Sequence, residues 1–196
     1  MKRLRLTITI NPELLPAVDQ LIDRQEIRNR SQAIESLVED GLGLRGRCQV
    51  VLITGPATLP SQVQTVLDQL QPLCPQTCYS LGQPFPDTEP LANHFGSGAA
   101  LLLTKAIPNS VYLIIDLAYT LPSPLMEKVS AAYVQHKQNG PIITNLMQSS
   151  NGLELSYSGV TIASPTILSL IPAGKSDLFQ DVFPLLAQSS KLGIYV

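Results

Sequence analysis

The sequence is poor in several residue types, and the shortage of cysteine excludes two kinds of stabilising site. It contains no tryptophan, few aromatic residues (5%) and three cysteines, which are Cys48, Cys74 and Cys78. An odd number of cysteines, with no histidine or further cysteine at zinc spacing, fits neither a disulfide framework nor a zinc site. We expect these thiols to be buried or half-buried, and we predict no metal site and no cofactor.

Long hydrophobic runs are also missing. No apolar stretch reaches the roughly 18 residues of a membrane-spanning helix. At the N-terminus the apolar residues alternate with arginine and threonine, which is unlike the core of a signal peptide. We therefore predict a cytoplasmic protein without a membrane partner. The 44% of hydrophobic residues is enough for a sizeable core.

Arginine is missing from most of the chain. All seven arginines lie within residues 1–47, and the remaining 149 residues contain none. Residues 1–47 carry eight Lys/Arg against seven Asp/Glu, whereas residues 48–196 carry five against eight. The planar guanidinium of arginine suits phosphates and guanine edges. We therefore predict a nucleic-acid-binding domain over residues 1–45 and a second domain with another role over residues 48–196.

Residues 3–10 have the alternation of a half-buried β-strand. One face carries Arg3, Arg5, Thr7 and Thr9, and the other carries Leu4, Leu6, Ile8 and Ile10. Two amphipathic helices are predicted to follow, the first after Asn11-Pro12 and the second after a cap at Asn29. Pro16 falls late for a first helical turn, so we expect it to shift the start of the first helix.

A single strand and two short helices cannot build a stable core within 47 residues. The simplest solution is a homodimer in which the strands of two copies pair antiparallel. The Arg and Thr side chains would then lie on one face of a two-stranded ribbon, which fits the major groove of DNA. The alternative is a ribbon that serves dimerisation only, with these side chains facing water.

The segments RLRLTITINPELL and IRNRSQAIESLVEDGL resemble the ribbon-helix-helix family of repressors and antitoxins, over about residues 2–43. The residues that match the family's base-reading strand positions are Arg5, Thr7 and Thr9. Those that match the start of its second helix, where backbone amides hold a DNA phosphate, are Asn29, Arg30 and Ser31. We expect two further residues, Lys2 and Arg3, to neutralise phosphates.

Residues 48–196 alternate between strand and helix patterns, which predicts an α/β sandwich with a mostly parallel sheet. The predicted strands are Gln49–Thr54, Cys78–Leu81, Ser110–Asp116, Ile142–Gln148, Ser158–Ala163 and Leu192–Val196. The predicted helices are Ser61–Leu70, Ala99–Ala106, Pro124–Gln138, Pro165–Leu170 and Asp177–Gln188. Residues 82–97 are predicted to be a loop that carries His94, and His136 is predicted to lie on a helix surface.

Three segments of this domain resemble the sugar-phosphate nucleotidyltransferases, also called NDP-sugar pyrophosphorylases. They are VVLITGPATLPSQVQTVLDQL, PLANHFGSGAALLLTKAIPNSVYLIID and SGVTIASPTILSLIPAGKSDLFQDVFPLLAQSSKLGIYV. The resemblance implies a truncated form of that fold, with Asp116 in the place of a metal-binding aspartate; a turn-making carboxylate is the alternative. Gly96, Ser97 and Gly98 match a glycine loop whose amides suit a nucleotide or sugar phosphate, or else a plain tight turn.

The departures from that family argue against catalysis. Its glycine-rich loop with Arg and Lys is missing, and its second metal-binding aspartate would lie beyond Val196. Five lysines and no arginine remain to meet a triphosphate. Phosphoryl transfer depends on neutralising charge and on Mg²⁺. We therefore predict no catalytic residues and no enzymatic activity.

These patterns together predict a sequence-specific DNA-binding transcriptional regulator that acts as a ribbon-helix-helix homodimer. Its predicted partners are double-stranded DNA, a second copy of itself, with a tetramer as a natural extension, and a nucleotide or sugar phosphate as an effector. The α/β domain would serve oligomerisation or ligand sensing. Two alternatives stay open: an antitoxin-like or scaffold protein that grips another protein, and a sugar nucleotidyltransferase with a DNA-binding appendage.

Overall fold

The computed structural model divides the chain into two compact units, Met1–Gly43 and Leu44–Val196. The structure describes residues 12, 15–20, 22, 28–34, 43–73, 75–92, 96–104, 107, 110–150 and 154–196. The predicted strand over residues 3–10 lies outside these residues. So do Cys74 and His94.

The described part of the first unit is helical. Helix α1 spans Leu15–Gln20, so that Pro16 occupies its first turn, where a missing N–H costs no hydrogen bond. Residues 30–34 are also helical, and Val18 and Ala33 are buried apolar residues among those described in this unit.

The second unit is built on one seven-stranded sheet. Its strands are β1 (Cys48–Ile53), β2 (Thr77–Leu81), β3 (Glu89–Leu91), β4 (Val111–Asp116), β5 (Ile143–Ser150), β6 (Glu154–Ala163) and β7 (Leu192–Tyr195). They lie in the order β3-β2-β1-β4-β6-β5-β7. Strand β6 is antiparallel to both of its neighbours, and the other pairs of adjacent strands are parallel. The prediction of an α/β fold with a mostly parallel sheet is confirmed.

Helices cover both faces of this sheet. They are α2 (Pro60–Leu70), α3 (Ser97–Leu101), α4 (Leu125–Asn139), a 3-10 helix (Pro165–Leu170) and a π-helical turn (Leu178–Val182) that continues into α5 (Phe183–Gln188). Helices α2 and α4 pack on one face and contribute to one buried apolar cluster. Helix α3, the 3-10 helix, the π-helical turn and α5 pack on the other face, in a second cluster.

The central strands β1 and β4 read CQVVLI and VYLIID, and they are almost wholly buried. Alternate residues face opposite sides of a sheet, so Val50 of β1 joins one apolar cluster while Val51 joins the other. A strand covered on both faces needs this nearly continuous run of β-branched and aliphatic residues. The run therefore places the domain core at β1 and β4.

The structure corrects two predictions and sharpens a third. The segment 82–97 was predicted to be a loop, but it contains strand β3, whose three residues pair with β2. The prediction missed this strand because β3 is a short edge strand that contains proline, and proline argues against a strand in a sequence pattern. His136 is buried rather than on a helix surface, with 4% of its area exposed. Helix α3 begins two residues before the predicted start at Ala99, and it ends at Leu101 although it was predicted to reach Ala106. Cys48 is buried and Cys78 half-buried, as expected.

Candidate functional site

A cavity of about 450 Å³ opens at the carboxyl edge of the parallel strands. Its lining residues are Ile53, Leu81, Gly96, Ser97, Asp116, Lys175, Asp177 and Phe179. This volume is in the range of small-molecule sites. All of the lining residues belong to the second unit.

The strand order explains why a cavity forms here. From β1 the chain moves outward to β2 and β3, and it then returns past β1 to place β4 on the other side. Ligands of open α/β sheets bind in the crevice outside the carboxyl ends of the strands at such a reversal. Ile53, Leu81 and Asp116 end β1, β2 and β4, and they are neighbours in register.

Asp116 is fixed by a short turn at the end of β4. Its Oδ1 accepts a hydrogen bond of 3.0 Å from the backbone N–H of Ala118. The turn rests on Gly159 of β6, where a Cβ atom would lie 2.7 Å from the Asp116 carbonyl oxygen and 2.8 Å from Tyr119 Cβ. Gly159 also has a φ of +78°, which side chains other than glycine rarely adopt. The Asp116 carboxylate thus combines the turn role with a place in the cavity lining.

The glycine loop before α3 is packed against the segment that precedes the π-helical turn. Gly96 has a φ of +95°, and a Cβ atom there would collide with the Ser176 carbonyl oxygen. The same carbonyl accepts hydrogen bonds from the Gly98 and Ala99 N–H groups, at 3.0 and 3.3 Å. These two amides are therefore engaged within the protein. Gly96 and Ser97 line the cavity, and Gly98 lies behind them.

Asp177 caps the π-helical turn and is held by α3. One carboxylate oxygen, Oδ1, accepts hydrogen bonds from the N–H groups of Phe179 and Gln180, at 2.9 and 3.1 Å. The other oxygen, Oδ2, accepts a hydrogen bond of 2.8 Å from the Ser97 hydroxyl. The Ser97 hydroxyl oxygen in turn accepts the Leu178 N–H at 2.9 Å. Oδ1 thus caps the π-helical turn, and Oδ2 joins that turn to α3.

The two carboxylates of the cavity differ in their electrostatic compensation. Burial raises the pKa of the half-buried Asp116, and the negative charge of Asp177 raises it further against the lowering effect of the Ala118 N–H. Within the described part of the chain, no side-chain nitrogen of Lys, Arg or His lies within 4.0 Å of the Asp116 carboxylate. Lys175, the cation of the cavity lining, is exposed.

The residues present do not fit the metal ion that the nucleotidyltransferase resemblance implies. Mg²⁺ takes oxygen ligands and is usually held by one or two carboxylates together with substrate phosphates. Asp177 already accepts three hydrogen bonds from the protein, whereas Asp116 accepts one, so Asp116 has more lone pairs left to coordinate an ion here. Among the described residues no group of three or more His, Cys, Asp or Glu is placed to hold a metal.

An aromatic row supports one wall of the cavity. The rings of Tyr119, Tyr157, Phe179 and Phe183 follow one another with centroids 5.0, 5.5 and 5.0 Å apart. The edge-to-face and tilted geometries of these pairs are the favourable ones for aromatic rings. Phe179 lines the cavity and is therefore held from both sides by its neighbours in the row.

Besides the strand-end residues Ile53 and Leu81, sequence reasoning missed three residues of the cavity, which are Lys175, Asp177 and Phe179. All three lie in the segment GKSDLF, where Asp177 stands in the position of a helix N-cap, two residues before the Phe179 N–H that it binds. That capping pattern was a usable signal for the start of the helix. The capping pattern does not reveal that Asp177 also lies at the cavity beside the end of β4, because Asp116 and Asp177 are about 60 positions apart in the sequence.

The predicted DNA-contacting residues are described in part. Asn29 Oδ1 accepts the Gln32 N–H at 3.1 Å, so that Asn29 caps the helical residues 30–34 as predicted. Arg30 makes two hydrogen bonds to the Asp19 carboxylate, from Nε at 2.6 Å and from its terminal NH₂ at 2.7 Å. Asn29, Arg30 and Ser31 are exposed. The remaining predicted DNA contacts, Lys2, Arg3, Arg5, Thr7 and Thr9, lie outside the described residues.

His136 forms a second buried polar site. In the strand order this site lies at β6 and β5, on one side of β4, whereas the cavity strands β1 and β2 lie on the other side. Its Nδ1 lies 2.9 Å from Thr144 Oγ1 of β5, and its Nε2 lies 2.9 Å from Ser164 Oγ, just after β6. Burial lowers the pKa of the imidazole to about 4. The ring therefore joins α4 to two strands as a neutral hydrogen-bonding group.

The sequence matches no protein-family model, and no curated protein is significantly similar to it. None of the helices in the described parts of the chain has the length and apolar character that crossing a bilayer requires.

Proposed function

We propose that this protein is a DNA-binding transcriptional regulator that acts as a ribbon-helix-helix homodimer, with its α/β unit binding a small effector molecule in the cavity beside Asp116. The observation that carries the proposal is the separation of roles along the chain. Every arginine lies in residues 1–47, and a ligand-sized cavity is lined by residues 53–179, a stretch that has none.

Two features of the first unit support DNA binding. The Arg and Thr residues of positions 3–9 alternate with aliphatic residues, which suits a ribbon in the major groove. The Asn29 cap begins a helix whose first residues are exposed, and exposed N–H groups at a helix start suit a phosphate. The Asp19 carboxylate orients Arg30 at this helix start, where further guanidinium donors can meet DNA.

Two features of the second unit support ligand binding without catalysis. The cavity lies at the carboxyl edge of a mostly parallel sheet, where ligands of such sheets are bound, and Asp116 ends a central strand there. This position is in keeping with the resemblance to the nucleotidyltransferases. The lack of a fitting metal-binding set among the described residues, and of any arginine after Arg47, supports a domain that has kept a ligand cavity without phosphoryl-transfer chemistry.

The test is selection of bound sequences from random double-stranded DNA by the full-length protein, followed by binding measurements on the selected sequence. We expect Arg5→Ala to lose roughly 1–3 kcal/mol of discrimination at one base pair while the protein stays dimeric. Lys2→Ala is the matched control. It should weaken binding to all sequences alike and reduce the dependence of affinity on salt.

Failure of this test would redirect the proposal. If Arg5→Ala left affinity and specificity unchanged, the base-reading assignment would be wrong, and a monomeric protein would exclude the ribbon altogether. Copurification of one stoichiometric partner protein in place of selected DNA would favour the antitoxin-like or scaffold alternative. Release of pyrophosphate from nucleotides and sugar phosphates with Mg²⁺ would favour the nucleotidyltransferase.

A further inference from the structure

We propose that the cavity beside Asp116 binds a small organic cation, an ammonium group attached to an apolar or aromatic body, in preference to a phosphate-bearing ligand. This inference rests on the proposed role of the cavity as an effector site, and it names the chemistry of the effector. Four observations carry it: the charge of the lining, the hydrogen bonds of its carboxylates, the engaged amides and the aromatic wall.

The ionisable residues that line the cavity give it a negative balance. They are Asp116, Asp177 and Lys175, which is one positive charge against two negative charges. No arginine is present anywhere after Arg47 to add a positive charge from a distance. A phosphate ester, with up to two negative charges, would be repelled by this lining unless a metal ion bridged it. The fit of the residues to a metal ion is poor, as described above.

Four backbone amides near the cavity are engaged within the protein. Binding of an anion by a glycine loop needs N–H groups that point at the ligand. The Gly98 and Ala99 N–H groups instead donate to the Ser176 carbonyl. The Phe179 and Gln180 N–H groups donate to the Asp177 carboxylate, which already fills the anion position at the start of the π-helical turn. These four N–H groups are therefore not available to a phosphate.

Asp116 is the group left to bind a cation. The Asp177 carboxylate accepts three hydrogen bonds, whereas Asp116 receives one, from Ala118, and has no cationic partner among the described residues. A half-buried carboxylate that is not paired pays a desolvation penalty. An ammonium ligand would repay this penalty through a charge-assisted hydrogen bond. The same bond would order the ligand at the ends of β1 and β4.

The apolar part of the lining fits the body of such a ligand. Ile53 and Leu81 contribute apolar surface at the ends of β1 and β2, and Phe179 adds an aromatic ring held by Tyr157 and Phe183. An aromatic ring attracts cations to its face and packs against other rings at its edge. A carboxylate opposite an aromatic wall is a suitable arrangement for an aryl-alkyl ammonium ion.

The experiment compares three probes that share one phenyl group and differ in charge. They are 2-phenylethylamine as the cation, 2-phenylethanol as the neutral probe and phenyl phosphate as the anion. Binding to the full-length protein is followed by saturation-transfer NMR titration, which detects weak ligands. We expect the cation to bind at least tenfold more tightly than either of the other two, since a lost charged hydrogen bond costs about that factor.

The variants Asp116→Asn and Asp68→Asn form the matched pair. Asp116→Asn keeps the shape of the side chain and the acceptor for the Ala118 N–H but removes the charge, and it should weaken binding of the amine about tenfold. Asp68 lies on the exposed face of α2, outside the cavity, so Asp68→Asn should leave the affinity for the amine unchanged. Phenyl phosphate binding more tightly than the amine, or an amine affinity that Asp116→Asn does not change, would overturn the inference.

A separate measurement distinguishes this inference from the proposed function. Affinity for the selected DNA is measured with and without 2-phenylethylamine. Amine binding that depends on Asp116 but does not alter DNA affinity would support the inference and contradict the effector role. DNA binding by a protein that prefers phenyl phosphate would overturn the inference and leave the DNA-binding part of the proposed function intact.

Discussion

Two polar regions of the α/β unit, one around Asp116 and one around His136, lie at buried ends of strands and are built in opposite ways. Both ring nitrogens of His136 lie at hydrogen-bond distance from hydroxyl groups, those of Thr144 and Ser164. The Asp116 carboxylate receives one hydrogen bond from the protein and faces a cavity. The first region is complete in itself, and the second leaves bonding capacity for another molecule.

The difference shows how burial alone misleads in the search for a functional residue. Burial lowers the pKa of His136 to about 4, yet both nitrogens of that imidazole have a partner. A perturbed pKa marks a functional site only when the group can also meet a ligand. Asp116 meets that condition and His136 does not.

The largest expected effect comes from replacing Gly159, the glycine of β6 against which the Asp116 turn packs. Gly159→Ala places a Cβ atom against the Asp116 carbonyl oxygen and Tyr119, at a φ of +78°. We expect the free energy of unfolding to fall by about 3 kcal/mol, from strain and displacement of the turn together. Urea unfolding followed by circular dichroism measures this.

Gly140→Ala is the control for that substitution. Gly140 also has a positive φ, +63°, but a Cβ atom there would have nothing within 4 Å. It should therefore cost about 1 kcal/mol, from backbone conformation alone. Equal costs at the two glycines would mean that the Asp116 turn does not depend on close contact with β6.

The next effect concerns the pH dependence of the His136 region. The pKa of His136 is lowered to about 4 in the folded state by burial, against an ordinary value of 6.5. The unfolded chain therefore binds a proton more readily, so the stabilisation is fully present above pH 6.5 and is lost as the pH falls toward 4. We expect a loss of about 2–3 kcal/mol over this range. Urea unfolding at a series of pH values measures it.

His136→Gln separates this loss from the titration of carboxylates. Glutamine cannot gain a proton in this range, so the variant should lack the part of the pH dependence that His136 contributes. The wild-type and variant stabilities should converge as the pH falls. Parallel pH profiles for the two proteins would show that the imidazole titrates normally and is not confined to its neutral form.

A smaller effect comes from removing the imidazole ring while its hydroxyl partners stay in place. His136→Leu replaces the imidazole with an apolar side chain of similar size and leaves the Thr144 and Ser164 hydroxyls without their partner. Since Thr144 is buried, we expect a loss of about 1–2 kcal/mol at neutral pH. The double variant His136→Leu with Thr144→Val should recover part of this loss. No recovery would mean that packing, rather than hydrogen bonding, holds His136 in place.

The sequence predicted these two regions unequally, for a physical reason. The runs that form β1 and β4 predicted the central strands, and the position of Asp116 at a strand end followed from them. The burial of His136 was missed because the helix α4 has polar residues beside it in sequence, Gln135 and Lys137, and because its partners come from other elements. The Asp177 contact with Ser97 was missed for the same reason. Local patterns report local structure, and these contacts are not local.

The smallest expected effect sharpens the comparison at Asp116 itself. A carboxyl group whose pKa is raised in the folded state costs stability wherever it is ionised, that is, above its folded pKa. Asp116→Asn should therefore stabilise the protein at about pH 7, by roughly 0.5 kcal/mol after allowance for solvent screening of a half-buried group. The gain should vanish at a pH below the ordinary pKa of aspartate, near 4, because the wild-type carboxyl is then neutral in both states. Urea midpoints at the two pH values measure it, with Asp68→Asn as the control. A clear loss of stability at pH 7 would mean that the Asp116 charge is already compensated within the protein, and the contrast with His136 would no longer hold.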